Sequence, residues 1–128
     1  MFYEFNQNNS YGYFDTDDKL CHVLIIEADT FQEAISKAEE LGCYWDGVSK
    51  GIDCPCCGDR WSKYRDEPID IERYRVEGYK TWRNQTFYFN NIEEYAQYMA
   101  NDFGWTTPAI RIFYKNGTVK EFFNERVR

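Results

Sequence analysis

The chain of 128 residues has one histidine, three prolines, two methionines and no long apolar run. No apolar segment reaches the about 20 residues of a membrane span, and residues 1–10 lack the basic and apolar regions of a signal peptide. A glycine-rich phosphate loop and a nucleophile elbow are also absent. We therefore expect a non-enzymatic cytoplasmic protein without a membrane partner. Its five cysteines, an odd number, suit reduced thiols better than a disulfide framework.

Basic residues are scarce relative to acidic ones. Lysine and arginine total 15 against 22 acids, a formal net charge of −7. Direct binding to nucleic acid is not expected, because it requires neutralisation of phosphates. The imbalance lies in residues 1–72, with 16 acids and 6 bases, whereas residues 73–128 carry a net charge of +3. The acidic first part predicts a negative surface that a basic partner protein would recognise.

Two helices are predicted from capping boxes that precede apolar residues at helical spacing. Thr30 with Glu33 forms the first box, and Asn91 with Glu94 forms the second. In each box the paired side chains satisfy backbone N–H groups of the first turn. The predicted helices cover 31–41 and 92–103 and end at Gly42 and Gly104.

Strands are predicted wherever aromatic or β-branched residues alternate with polar ones, and CHVLIIEA at 21–28 is the strongest example. Asn116-Gly117 predicts a type I′ turn between the last two strands, in the hairpin 109–123. The other predicted strands are 2–6, 11–15, 71–76 and 85–90.

Together these elements predict an α+β fold, a mainly antiparallel sheet with two amphipathic helices packed on one face. The length predicts a single domain over residues 1–128. Within it, segment 43–84 is loop-rich and holds a cysteine cluster. Such segments are where binding residues concentrate.

The sequence DCPCCGDRW, residues 53–61, places three cysteines in four positions. Cys54 and Cys57 have the spacing of half a zinc knuckle. A structural zinc needs four ligands and no second C-x-x-C is present, so Cys43 and His22 are the candidates that would complete the site. Zinc is the one cofactor that the sequence leaves open.

The same cysteines share the C-P-x-C pattern of glutaredoxins, in which a thiolate acts as a nucleophile. The stretch TTPAIRIFYKNGTVKEF, residues 106–122, resembles the segment after the cis-proline of thioredoxin-like proteins, which implies that Pro108 faces the active cysteine. A thiol oxidoreductase is therefore an alternative. The motif lacks the preceding buried strand and the following long helix, so we favour a compact turn whose cysteines pack under neighbouring aromatic side chains.

Bases and aromatic residues lie on both sides of this turn, a combination with which proteins hold nucleotide bases and phosphates. Ion pairs between the arginines and the excess acids are the alternative use of the same residues. The candidate ligand-binding residues are Tyr44, Trp45, Arg60, Trp61, Lys63, Arg73 and Arg75, with Tyr64, Arg65, Lys80, Trp82 and Arg83 as further members of the two basic segments.

Three segments, YGYFDT, ADTFQEAISKAEELG and DCPCCGDRW, together resemble small proteins of tailed bacteriophages over residues 1–64. The resemblance implies an accessory protein in the cytoplasm of an infected bacterium, where such proteins bind a host or defence component or sequester a nucleotide signal. We therefore expect a counter-defence binding protein that sequesters a nucleotide-like signal. An acidic inhibitor that mimics nucleic acid on a host or defence protein stays open, as does a homo-oligomer.

Overall fold

The structure, a computed structural model, describes residues 1–8, 14–63, 66–103 and 108–125. Within these residues the chain forms six strands and three helices. In chain order they are β1 (Phe2–Asn6), β2 (Val23–Glu27), α1 (Phe31–Leu41), α2 (Ile71–Val76), β3 (Tyr79–Lys80), β4 (Thr86–Phe87), α3 (Ile92–Ala100), β5 (Ile110–Phe113) and β6 (Val119–Phe122). Across this described part of the chain, none of the helices has the length and apolar character needed to cross a bilayer.

Four strands form one sheet in the order β1-β2-β5-β6. The outer pairs β1–β2 and β5–β6 are antiparallel, whereas the central pair β2–β5 is parallel, with Val23 opposite Ile110. Strands β3 and β4 form a separate two-stranded hairpin. The α+β class and the mainly antiparallel sheet predicted from the sequence are confirmed.

Strand β2 is buried on both faces of the sheet. Leu24 and Ile26 belong to an apolar cluster with the buried side of α1. Val23 and Ile25, which point to the other face because side chains alternate along a strand, belong to a second cluster with α3. The two helices therefore cover opposite faces. The expectation that both pack on one face is wrong, because an apolar stripe shows that a helix has a buried side but not which face of the sheet it covers.

Both predicted helices are present, and their caps have the predicted geometry. The Thr30 hydroxyl accepts from the backbone N–H of Glu33 at 3.2 Å, and α1 ends at Gly42. The Asn91 side-chain oxygen accepts from the backbone N–H of Glu94 at 2.9 Å. Helix α3 ends at Ala100, and the predicted end at Gly104 lies outside the described residues.

Residues 71–76 form the short helix α2 and not the predicted strand. Asp70 caps it by accepting from the backbone N–H of Arg73 at 3.0 Å. Ile71 and Tyr74, three positions apart, are the residues of α2 that pack against the cluster around α3. The strand was predicted from the alternation of Ile71, Arg73 and Arg75 with Glu72, Tyr74 and Val76, but neither of these two sets is apolar. The cap and the i, i+3 spacing of the packed residues favour a helix.

The strand predicted at 85–90 is limited to β4, and Phe89 beyond it is buried in the cluster around α3. The predicted strand 11–15 lies largely outside the described residues, and Phe14 and Asp15 are not part of a strand.

The turn between β5 and β6 is a three-residue loop and not the predicted type I′ turn. The backbone N–H of Tyr114 donates to the carbonyl of Thr118 at 2.8 Å, across residues 115–117. A type I′ turn requires positive φ at both central residues. Here Gly117 has φ 93° and Asn116 does not lie in the positive region, which is the pattern of a type I turn followed by a left-handed glycine.

Candidate functional site

The cysteine turn, residues 53–61, is stabilised on its inner side by hydrogen bonds to the buried carboxylate of Asp53. This carboxylate accepts from the Tyr44 hydroxyl at 2.6 Å and from the backbone N–H of Arg60 at 2.8 Å. The backbone N–H of Asp53 donates to the carbonyl of Gly47 at 3.0 Å. A Cβ added to Gly47 would lie 1.8 Å from Asp53 Oδ2, so only glycine fits beside the carboxylate. Asp53 therefore sets the position of both ends of the turn.

Arg60 attaches the turn to the end of β1 and is not exposed to solvent. Its side chain is 3% exposed, and Nη1 donates to Gln7 Oε1 at 2.9 Å. Its Nε lies 3.3 Å from Asp15 Oδ2 and 3.9 Å from Asp53 Oδ1. The carbonyl of Arg60 accepts from the backbone N–H of Asn8 at 2.7 Å. The guanidinium that the sequence offered as a phosphate ligand is thus part of an internal ion-pair network.

The aromatic residues predicted beside Arg60 are likewise packed in the interior. Trp61 is 1% exposed and Trp45 is 7% exposed, and both belong to the cluster around α1. The Trp45 indole N–H donates to Glu39 Oε1 at 3.0 Å, and the Lys63 ammonium lies 5.6 Å from the Trp45 ring centre. Tyr44 is half-buried, and burial, together with its hydrogen bond to Asp53, raises its pKa to about 12.

An open cleft of about 220 Å³ remains at the surface above these residues. Its lining includes the carboxylates of Asp46 and Asp59 and the ammonium of Lys63. A phosphate entering this cleft would meet two carboxylates and one cation, which disfavours an anionic ligand. The structure therefore brings five predicted residues together (Tyr44, Trp45, Arg60, Trp61 and Lys63), but in an arrangement suited to packing rather than to nucleotide binding. The other two members of that group, Tyr64 and Arg65, lie outside the described residues.

Three thiols lie together on the outer side of the turn. Cys54 Sγ is 2.7 Å from Cys56 Sγ, and Cys56 Sγ is 3.5 Å from Cys57 Sγ. All three sulfur atoms lie within 4.8 Å of one another, and Cys56 and Cys57 are exposed. The contact with the Cys56 thiol lowers the pKa of Cys54, whereas contacts with its two neighbours raise the pKa of Cys56 to about 11.

The predicted zinc set of Cys54, Cys57, Cys43 and His22 is not assembled. Cys43 is buried in the cluster around α1, where burial raises its pKa to about 12. His22 is 2% exposed and packs between two rings, with centroids 4.2 Å from Phe14 and 4.7 Å from Phe103. Within the described residues, Cys54, Cys56 and Cys57 are the one group of three potential metal ligands close enough to share an ion. Cys56, the middle thiol, was missed because the C-x-x-C spacing directs attention to its neighbours.

The surroundings of the turn differ from those of a thioredoxin-like active site. Residues 55–57 form a turn, and among the described residues up to Lys63 no helix follows them. Pro108 lies two residues before β5, and its backbone is hydrogen bonded to His22. The strand and helix context that supports a redox C-x-x-C is therefore missing around these cysteines.

A second surface is formed by the hairpin of β3 and β4, residues 79–87. At its tip the Trp82 side chain is 86% exposed, and the Arg83 guanidinium lies 4.7 Å from the centre of its ring. The loop closes through a bond from the Thr81 N–H to the Gln85 carbonyl at 3.0 Å. A single large exposed aromatic side chain with a cation on its face is typical of a stacking contact.

An open cleft of about 610 Å³ lies between α2 and this hairpin. It is lined by Arg73, Tyr74, Glu77, Gly78, Tyr79 and Lys80. Arg73 Nε donates to Glu77 Oε2 at 2.9 Å, so the guanidinium is held at the cleft. Arg75 does not line the cleft and forms an ion pair with Glu72 on another side of α2.

A family model matches residues 1–127. The chain belongs to the family described as a domain of unknown function, DUF7296. No curated protein and no solved structure is significantly similar to the chain. The description of the DUF7296 family states no activity.

For this DUF7296 chain, the sequence identified the basic segment around Trp82 only as a supplement to the cysteine turn. The sequence does contain a pattern that predicts an exposed position for Trp82. TWRNQ places a tryptophan and an arginine in a polar loop between two strand-forming segments, which is typical of an exposed hairpin tip.

Proposed function

We propose that the protein is a non-enzymatic binding protein that sequesters a nucleotide-like ligand at the hairpin and the adjacent cleft. The observation that carries the proposal is the 86% exposed Trp82 side chain with Arg83 over its ring. A single exposed aromatic ring indicates no function by itself, and Trp82 is distinguished by the cation over its ring and the cleft close to it. Stacking of one base on an aromatic ring contributes about 1–3 kcal/mol, whichever base it is.

The hairpin supports such a contact because it is fixed to the body of the protein by aromatic packing. Phe87 and Tyr98 have ring centres 4.3 Å apart, and Tyr79 lies 6.0 Å from Tyr98. Phe89 packs against the same Tyr98 ring at 5.4 Å. A platform held in place loses little conformational entropy when a base stacks on it.

The cations near the platform suit the phosphates of such a ligand. Lys80 is exposed and lines the cleft two residues before Trp82, and Arg73 lines its other side. Arginine forks and lysine ammonium groups form charge-assisted hydrogen bonds with phosphate oxygens. A cleft of about 610 Å³ also falls within the size range of small-molecule sites. The ligand would therefore stack its base on Trp82 and place its phosphates between Lys80 and Arg73, two cations that outnumber the one carboxylate of this cleft, Glu77.

The biological role that we propose is counter-defence in the cytoplasm of an infected bacterium, where removal of a nucleotide signal would silence a host response. Its support is the resemblance of residues 1–64 to proteins of tailed bacteriophages, which supplies the context, while the hairpin supplies the contact. The acidic inhibitor is the competing role. It would bind its partner through the acidic residues 1–72, and Trp82 would not take part in the contact.

The test is calorimetric titration of the protein with cyclic mononucleotides, cyclic dinucleotides and nucleoside triphosphates. Trp82→Ala should weaken binding about 10- to 100-fold, because the stacking contact is lost. Its thermal unfolding should stay unchanged, since the ring is almost fully exposed.

Arg73 and Arg75 provide a matched pair of controls, because both lie on α2 and both pair with a glutamate. Arg73→Ala should weaken binding, whereas Arg75→Ala should not, since only Arg73 lines the cleft. The proposal fails if no nucleotide binds, or if Trp82→Ala binds as the unaltered protein does. Salt-sensitive capture of a basic host protein by Trp82→Ala would instead favour the acidic inhibitor.

A further inference from the structure

The three thiols of Cys54, Cys56 and Cys57 are carried by a backbone that is already fixed. The N–H groups of Cys57 and Gly58 both donate to the carbonyl of Cys54 at 3.1 Å, which closes the turn. The Asn8 side-chain amide donates to the carbonyl of Cys57 and so attaches the turn to the segment after β1. Because Asp53 and Arg60 occupy the inner side, the sulfur atoms are left on the outer side.

The separations between the sulfur atoms suit one shared metal ion. With metal–sulfur bonds of about 2.3 Å, the ligands of a three-coordinate ion lie about 4 Å apart. The three Sγ atoms already lie within 4.8 Å of one another. Small rotations about the Cα–Cβ bonds of these exposed side chains would open the two shorter contacts to that spacing. The backbone would not have to move.

We propose that Cys54, Cys56 and Cys57 form a three-thiolate site for a soft monovalent cation, Cu(I). Thiolate sulfur selects soft ions such as Cu(I), and hard ions that prefer oxygen ligands are excluded. A structural zinc ion would need a fourth ligand. Within the described residues, neither a histidine nor a carboxylate belongs to this group, and Cys43 is buried elsewhere. The site is separate from the hairpin and does not depend on the nucleotide proposal.

The experiment is an anaerobic titration of the fully reduced protein with Cu(I) in competition with bicinchoninate, followed by the thiolate-to-copper absorption. We expect one Cu(I) per chain. Cys54→Ser, Cys56→Ser and Cys57→Ser should each weaken binding by more than about 100-fold, because loss even of groups outside the coordination shell costs about 10- to 100-fold.

Cys43→Ala is the matched control, since it removes a thiol but leaves the turn intact, and it should bind Cu(I) as the unaltered protein does. Near-ultraviolet circular dichroism of the metal-free variants checks that each one folds. The proposal is overturned if Cu(I) stays with bicinchoninate, or if Cys56→Ser binds it undiminished. A parallel titration with Zn²⁺ that proves tighter than that with Cu(I) would overturn the assignment of the ion.

Discussion

Asp53 takes its partners from separate parts of the chain, namely Tyr44 and the backbone and side chain of Arg60. We expect Asp53→Ala to lower the free energy of unfolding by about 3 kcal/mol. Breaking a buried ion pair costs about 3–5 kcal/mol, and the lower end applies because Asp15 remains beside Arg60. Urea denaturation followed by tryptophan fluorescence measures the change.

Asp66→Ala is the control for this variant, since Asp66 is exposed and an exposed substitution changes stability by at most about 0.5 kcal/mol. If the two variants unfold at the same urea concentration, the Asp53 network does not stabilise the turn in the way described.

At the scale of residues, the sequence predicted which side chains lie close together better than it predicted which of them are exposed to solvent. It placed Arg60 and Trp61 next to the turn and aromatic residues close by, and the structure confirms that they lie together. Their burial could not be predicted, because it depends on Gln7, more than fifty positions before them in the chain. Exposure at a loop is decided by which distant segment covers it, and local composition carries no information about that segment.

At the scale of elements, the cap of α3 gives a direct prediction. Asn91→Ala removes the side-chain oxygen that accepts from the backbone N–H of Glu94 at 2.9 Å. Loss of such a cap costs about 1 kcal/mol. We therefore expect a lower urea midpoint with an unchanged slope. Gln32→Ala, an exposed polar-to-alanine change on α1, should leave the midpoint almost unchanged, and an equal shift in both variants would contradict the prediction.

Caps and long periodic segments were the elements that the sequence predicted well. Helix α1 and strand β2 fall where CHVLIIEA and the first capping box predict them. Helix α2 was predicted as a strand because a segment of six residues is too short for its apolar spacing to identify a helix. The deciding contact, Tyr74 stacked on Tyr95 with ring centres 5.6 Å apart, is a tertiary one. The turn at Gly117 was mistyped because an Asn-Gly pair suits more than one hairpin loop.

At the scale of the whole molecule, the one histidine makes stability depend on pH. Burial lowers the pKa of His22, with the hydrogen bond to Pro108 opposing part of that effect. The unfolded chain, with an ordinary histidine pKa of about 6.5, then binds a proton more readily than the folded chain. The stabilisation by neutral His22 is therefore fully present above the pKa of the unfolded chain. It is lost as the pH falls towards the lower pKa of the folded chain.

Urea denaturation at about pH 7.5 and about pH 5.5 tests this effect, and the unaltered protein should be less stable at the lower pH. In His22→Gln the loss between the two pH values should shrink, whatever the substitution does to absolute stability. Equal losses in the two proteins would show that other groups account for the acid sensitivity.

The α+β fold class was predicted correctly from the sequence, but the placement of the helices on the two faces of the sheet was not. Residues 23–26 are apolar at every position, which is typical of a strand covered on both faces. That run favours one helix on each face of the sheet. Both helices were predicted on one face because that prediction used only their apolar stripes. It did not use the apolar run of β2, which requires cover on both faces of the sheet.

The parallel pairing of β2 with β5 has a consequence for synthesis on the ribosome. The central pair of strands can form only after Ile110, the partner of Val23, has been synthesised. Contacts between residues so far apart in the chain form slowly. Until β5 emerges, β2 has an open edge lined by aliphatic side chains, and open edges of this kind recruit other strands. A nascent chain arrested before β5 should therefore aggregate rather than fold, and it should depend on chaperones for as long as translation continues.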